Sequence, residues 1–251
     1  MGRAFEYRKA RKMKRWGNMS RTFTKIGKEI SISVKSTGPD PQNNTHLRLL
    51  LQNAKAANMP KDTVERAIKK GIGKEMGDYK EIVYEGYGPF GIAILVETAT
   101  DNSTRTVANV RSYFNKNNGS LGTSGSVEFL FERHCIFKAR VREEATVDME
   151  ELEFEVIDYG GDELFEEDGE INIYGAPEAY GNIQKFLEEK DDVLEIISGE
   201  FDRTPVETKE LNEEQRTALD KLLNKLEDDE DVTNVYHNIR ESEETEENEG
   251  E

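Results

Sequence analysis

The stretch ELFEEDGEINIY, residues 163–174, decides how the chain is read. Two strand-forming runs meet at Asp168-Gly169, the kind of pair a two-residue hairpin prefers because both turn positions need a positive φ. Outward from the hairpin the apolar spacing becomes helical on both sides. Met149, Leu152 and Val156 lie before it, and Ala179, Ile183 and Phe186 after it. Strands close the pattern at 134–141 and at VLEIIS, residues 193–198. The order is βαββαβ, the split arrangement of ferredoxin-like folds.

A second, interrupted copy brackets the first. Before it stand a strand at 91–98, a helix at 104–117 carrying Val107, Val110 and Phe114, and a strand at 125–132 with Val127, Phe129 and Phe131 on one face. After it come a strand in TPVETKEL (204–211), a helix capped by Asn212 with Leu219, Leu222, Leu223 and Leu226, and a strand in VTNVYHNI (232–239). The unbroken apolar run Ile92 to Val96 predicts a strand covered on both faces, and EIVYEGY (81–87) pairs with it across a Gly/Pro turn.

The first third reads as three short helices. Ser20 is the candidate cap of the first, whose stripe is Phe23, Ile26, Ile30 and Val34, and STGPDPQNN (36–44) ends it. The second starts near Asn44 with Leu47, Leu50, Leu51 and Ala54 on one side. In NMPKDTVERAIKKG (58–71), Asp62 and Glu65 form a candidate capping box, Val64, Ala67 and Ile68 face inward, and Gly71 stops the helix.

The fold class is therefore α+β and multi-domain: an N-terminal three-helix domain plus two ferredoxin-like βαββαβ domains, one inserted into the other. The expected boundaries are 1–79 for a basic helical domain with an N-terminal arm, 80–133 with 202–240 for one α/β domain, and 134–201 for the inserted one. Residues 241–251, with seven Glu and no apolar side chain, are expected to form a disordered acidic tail.

Charge divides along the same line. Residues 1–80 hold 19 Lys/Arg against 7 Asp/Glu, whereas residues 81–251 hold 15 against 45, within a net charge of −18. Such a division points to one face built for a polyanion. The densest part is YRKARKMKRW (7–16), where Arg8, Lys9, Arg11, Lys12, Lys14 and Arg15 precede Arg21, Lys25 and Lys28. Phe5, Tyr7 and Trp16 lie beside these cations, where rings can stack on exposed bases.

Other chemistries find no constellation. GYGPFG (86–91) has the glycine spacing of a dinucleotide loop, but a strand rather than a helix follows it and Pro89 removes an amide, so a tight hairpin turn explains it better. His46, His134 and His237 lie in different elements, and His134 and Cys135 point to opposite faces of a strand. The acid pairs Glu166-Glu167 and Glu188-Glu189 read as solvated faces. No catalytic residue, metal ligand or cofactor is expected. A lone cysteine, no apolar run of membrane-spanning length and no secretory leader pattern together suggest a soluble cytoplasmic protein.

Several stretches resemble the YebC/PmpR family: RKA (8–10), FTK (23–25), HLRLLL (46–51), ANMPKDTVERAIKKG (57–71), YEGYGPFG (84–91), TDNSTRTV (100–107) and NGSLGTSGSV (118–127). The resemblance implies three domains and a cytoplasmic, non-enzymatic regulator that binds DNA. It also implies kinship with a mitochondrial translational activator and with proteins connected to stalled ribosomes, so the polymer stays open between DNA and RNA, with the ribosome as a possible partner. Arg8, Lys9, Lys25, Asn58, Met59, Pro60, Lys61, Arg66, Lys69 and Lys70 match its motifs. The opening GRAFEY departs from the family's G-H-S-K-W, and Trp16 has no secure counterpart. Three function classes follow: a DNA-binding transcriptional regulator, a translation factor with Met59-Pro60-Lys61 in an exposed loop, and a protein-interaction scaffold.

Overall fold

The computed structural model describes residues 19–73 and 79–240; the arm and the acidic tail lie outside the described residues. Described residues 19–28, 79–132 and 204–240 form one compact unit, and 29–73 with 133–203 the other. The chain carries mixed α+β structure with two four-stranded sheets.

In the second unit, strand β4 (Phe131–Val141) is followed by helix α5 (Met149–Asp158), strands β5 (Gly161–Glu167) and β6 (Glu170–Gly175), helix α6 (Tyr180–Glu189) and strand β7 (Leu194–Pro205). The sheet order β5-β6-β4-β7 is that of a ferredoxin-like fold. Asp168 (φ 52°) and Gly169 (φ 73°) make the two-residue turn, and Glu167 pairs with Glu170 across it. Phe137, Ile173, Leu152, Val156, Ile183 and Leu187 fill the core.

Helices α1 (Met19–Thr37), α2 (Thr45–Ala56) and α3 (Lys61–Ile72) precede the sheets. The Asn44 side chain accepts from the Leu47 amide at 2.9 Å and donates to the carbonyls of Ser33 (3.1 Å) and Gly38 (2.9 Å), which locks the α1–α2 turn. From α2, Leu49 enters the core of the second unit, Asn53 exchanges hydrogen bonds with the Gly199 backbone (2.9 and 3.1 Å), and Arg48 holds both Glu188 oxygens at 2.8 Å. A Cβ at Gly199 would stand 2.5 Å from Leu49, so only glycine admits this approach. A one-sided α2 stripe therefore misplaces two residues: Leu49 is fully buried and Leu51 only half-buried, because α2 buries residues on more than one face.

In the first unit, β1 (Lys80–Tyr87) and β2 (Ala93–Thr100) form a hairpin in register from Lys80↔Thr100 to Tyr87↔Ala93. With α4 (Ser103–Lys116), β3 (Ser120–Leu121), α7 (Glu213–Glu227) and β8 (Val232–His237), the sheet order is β3-β1-β2-β8. Ile92, Ile94 and Val96 pack with α4 and α7, while Ala93 and Leu95 lie against Val127, Phe131 and Tyr236, so β2 is covered on both faces.

Of the two further strands expected in this unit, at 125–132 and 204–211, only residues 131–132 and 204–205 are strand, as the ends of β4 and β7. Residues 122–130 make a loop and a 3₁₀ turn, with Phe129 71% exposed. The cause is Glu85, buried in β1, whose carboxylate accepts from the amides of Gly125 (2.6 Å), Val127 (2.8 Å) and Glu128 (2.8 Å) and diverts them from a ladder. Past Pro205 only an isolated bridge, Lys209↔Ile239, remains of the strand expected at 204–211. Strand β1 occupies the position between β3 and β2 instead.

Candidate nucleic-acid interface

Helix α3 is a basic ridge with a small-residue underside. Asn58, at φ +55°, reverses the chain after α2, Met59 is buried at 7% exposure, and Pro60 is the N-cap of α3. Asp62 already lies inside the helix and makes no capping bond, which corrects the proposed capping box, and Met59 is an anchor rather than an exposed loop residue. On the buried side, Ser31 Oγ donates to the Ala67 carbonyl at 2.8 Å, and a Cβ at Gly71 would meet the Ser31 carbonyl at 2.6 Å. This close crossing turns Lys61, Arg66, Lys69 and Lys70 outward, all exposed.

Their partners are few. Arg66 donates to the Asp62 carbonyl and to Thr63 Oγ1, both at 3.1 Å, and Lys69 lies 3.8 Å from Glu65 on the exposed face. Lys61 and Lys70 have no carboxylate partner among the described residues.

The cations of α1 are placed differently. Its helix already includes Met19 and Ser20, so Ser20 is not its cap. Arg21 pairs with Glu227 at 3.6 Å and with Asp228. Lys28 Nζ donates to the Glu230 carbonyl at 2.7 Å, lies 3.4 Å from Asp231 Oδ1 and stands 5.3 Å from the Tyr79 ring centre. The acidic turn LEDDED (226–231) thus takes up two residues expected to grip phosphate. Lys25 also has partners within the molecule. Arg8, Lys9, Arg11, Lys12, Lys14, Arg15 and Trp16 lie outside the described residues.

Asp231 explains the TDNSTRTV motif. Asn102 caps α4 on the Arg105 amide (3.0 Å), which presents Arg105 and Thr106 to the Asp231 carboxylate at 2.8 Å each. Thr106 is also bonded to Thr100 at 2.7 Å. Burial pushes the Asp231 carboxyl up, but the hydrogen bonds from Arg105 and Thr106 and the charge of Lys28 outweigh it and hold the group below its ordinary 3.8. Nearby, Asp229 accepts from Tyr113 (2.9 Å), and burial followed by that bond raises the phenol to about 12. Sequence reading missed this network, although an acidic turn facing a basic helix was a signal that could have found it.

The remaining chemistry is quiet. Cys135 is fully buried, donates to the Ala176 carbonyl at 3.2 Å and is pushed up to about 11, chiefly by burial. No group of three or more His, Cys, Asp or Glu side chains among the described residues could hold a metal, and no described helix is long and apolar enough to cross a membrane.

Residues 3–74 match the model of the TACO1/YebC protein N-terminal domain, and residues 79–239 that of the TACO1/YebC second and third domain. The chain belongs to the TACO1/YebC family. It is 60% identical over 247 residues to a "Probable transcriptional regulatory protein" of Parabacteroides distasonis, covering 98% of this chain and 100% of the relative. A protein of the same description from Porphyromonas gingivalis is 61% identical, covering 97% and 99%. Among solved structures, a conserved hypothetical protein of this fold from Aquifex aeolicus matches with a TM-score of 0.70 at 37% identity, covering 90% of this chain and 92% of the other.

Proposed function

We propose that the chain is a nucleic-acid-binding regulator of gene expression, a non-enzymatic DNA-binding transcriptional regulator acting in the cytoplasm. Residues 1–79 form its binding domain, with the arm cations Arg8, Lys9, Arg11, Lys12, Lys14 and Arg15 and the α3 ridge as the phosphate contacts. One observation carries the reading: α3 turns four cations outward, three of them without a carboxylate partner among the described residues, in a chain whose residues 81–251 hold 45 acids against 15 bases. The acidic remainder repels the same polymer and restricts docking to the basic end. The regulatory names of the relatives agree with this.

A ribosome-associated translation factor is the second reading, favoured by Phe5, Tyr7 and Trp16 beside the arm cations, since stacking suits irregular RNA. Filter binding across a salt series tests both against duplex DNA and structured RNA. Replacing Lys12, Lys14 and Arg15 with Ala should flatten the salt slope by about 0.7 to 0.9 log units per lost contact. An unchanged slope and affinity would remove the nucleic-acid reading. Co-sedimentation with ribosomes in sucrose gradients favours the second reading, and absence from ribosomal fractions under stalling counts against it.

A further inference from the structure

The hairpin turn GYGPFG leaves one residue that turn geometry does not explain. Gly86 and Gly88 are required by close approach, since their Cβ atoms would stand 2.5 Å from the Ser120 carbonyl and 2.8 Å from Ile94. Gly91 sits at φ +71°. Phe90, however, is also left-handed, at φ +63° and ψ 15°, a conformation strained for a bulky side chain. Glycine or asparagine would make the same turn without strain. Core packing is not the compensation, because Phe90 remains 44% exposed. Its backbone is held by Gly88 N–H donating to the Ile92 carbonyl (2.8 Å) and by Lys209 Nζ donating to the Phe90 carbonyl (2.6 Å).

Phe90 forms one wall of an open hollow of about 380 Å³, whose other walls include Lys116, Asn117 and Asn118 at the end of α4 and Lys221 on α7. Lys116 and Lys221 have no carboxylate partner among the described residues, in the acid-rich part of the sequence. Asn118, at φ +58°, is exposed. The hollow therefore presents an aromatic face, two unneutralised ammonium groups and an exposed amide.

We infer that this hollow is a second nucleic-acid contact, which takes a single-stranded nucleotide with its base on the Phe90 ring and its phosphates toward Lys116 and Lys221. A ring with a free face stacks any base, and point-charge cations suit phosphate oxygens. The site lies apart from the α3 ridge in sequence and accepts unpaired strand, whether RNA or DNA. It rests on the nucleic-acid reading above and extends it to the α/β part of the chain.

The test uses the full chain with 12-mer oligouridylate and oligothymidylate. Phe90→Gly, which relieves the strained φ and should unfold no lower than wild type, is expected to weaken binding about tenfold. Lys116→Ala with Lys221→Ala should flatten the salt slope by about 0.7 log units per lysine. An oligonucleotide carrying 5-iodouridine should photocrosslink to Phe90 in wild type and lose that product in Phe90→Gly. Wild-type affinity, slope and crosslink pattern in both variants, with binding lost in the arm variant, would overturn this site alone. No retention of either oligomer by wild type that still binds duplex DNA or structured RNA would also overturn this site, and loss of binding to all four polymers would remove the nucleic-acid reading with it.

Discussion

Helices α1 and α3 carry similar cations and use them in opposite ways. On α1, the Lys28 side chain is only 12% exposed and is held by the Asp231 carboxylate and the Glu230 carbonyl. On α3, the Lys69 side chain is 77% exposed with a carboxylate 3.8 Å away, and Lys61 and Lys70 have none among the described residues. Positive charge in a sequence is therefore not the same as positive charge available to a ligand. The α1 cations near the acidic turn act as structure, and the α3 cations remain free to act on a partner.

The largest expected effect tests the structural half of that contrast. Asp231→Ala removes a carboxylate whose side chain is 8% exposed and which is shared by Lys28, Arg105 and Thr106. Breaking a buried pair in this way costs about 3 to 5 kcal/mol, read as a fall in the urea midpoint. A loss below about 1 kcal/mol would place the pair with exposed surface bridges and erase the contrast. Acid sharpens the same test. Because the folded carboxyl titrates below its ordinary 3.8, its contribution is complete above that value and is lost as pH falls through the lower folded value. The gap in stability between wild type and Asp231→Asn should therefore hold at neutral pH and close in strong acid.

Next in size is the combined replacement of Lys61, Arg66, Lys69 and Lys70 with Ala. Up to four phosphate contacts would go, so the salt slope should fall by about 0.7 to 0.9 log units for each. Stability should change by no more than about 0.5 kcal/mol, because exposed pairs such as Lys69–Glu65 contribute little. Loss of folding with an unchanged slope would reverse the roles assigned to the two helices.

How much of this was legible depended on whether a signal was local. Asp168-Gly169 and the helical spacing around it specified the inserted sheet down to its turn, and Asn212 capped α7 as read, with Gln215 completing its capping box. The outer sheet was less legible because its deviation comes from a distant side chain. Nothing in SVEFLF itself shows that Glu85, some 40 residues earlier, will capture its amides. The basic ridge was visible as composition, whereas the commitment of Arg21 and Lys28 to residues 227–231 was not, since it depends on tertiary pairing. The strain at Phe90 was hidden for a similar reason: glycine spacing announces a turn but not which residue takes the left-handed position.

The smallest predicted effect is the most discriminating between the helices. Lys28→Ala removes a hydrogen bond to the Glu230 carbonyl and the charge beside Asp231, but Arg105 and Thr106 continue to satisfy that carboxylate. The cost should be about 1 to 2 kcal/mol, well short of Asp231→Ala. Its effect on nucleic-acid binding should be close to none, with the salt slope unchanged, because Lys28 is already engaged inside the protein. A slope that falls by a full phosphate contact in Lys28→Ala, with wild-type stability, would show that the acidic turn releases this lysine when a polyanion arrives. The α1 cations would then join those of α3 as ligand contacts, and the acidic turn would act as a competitor for phosphate rather than as a structural clamp.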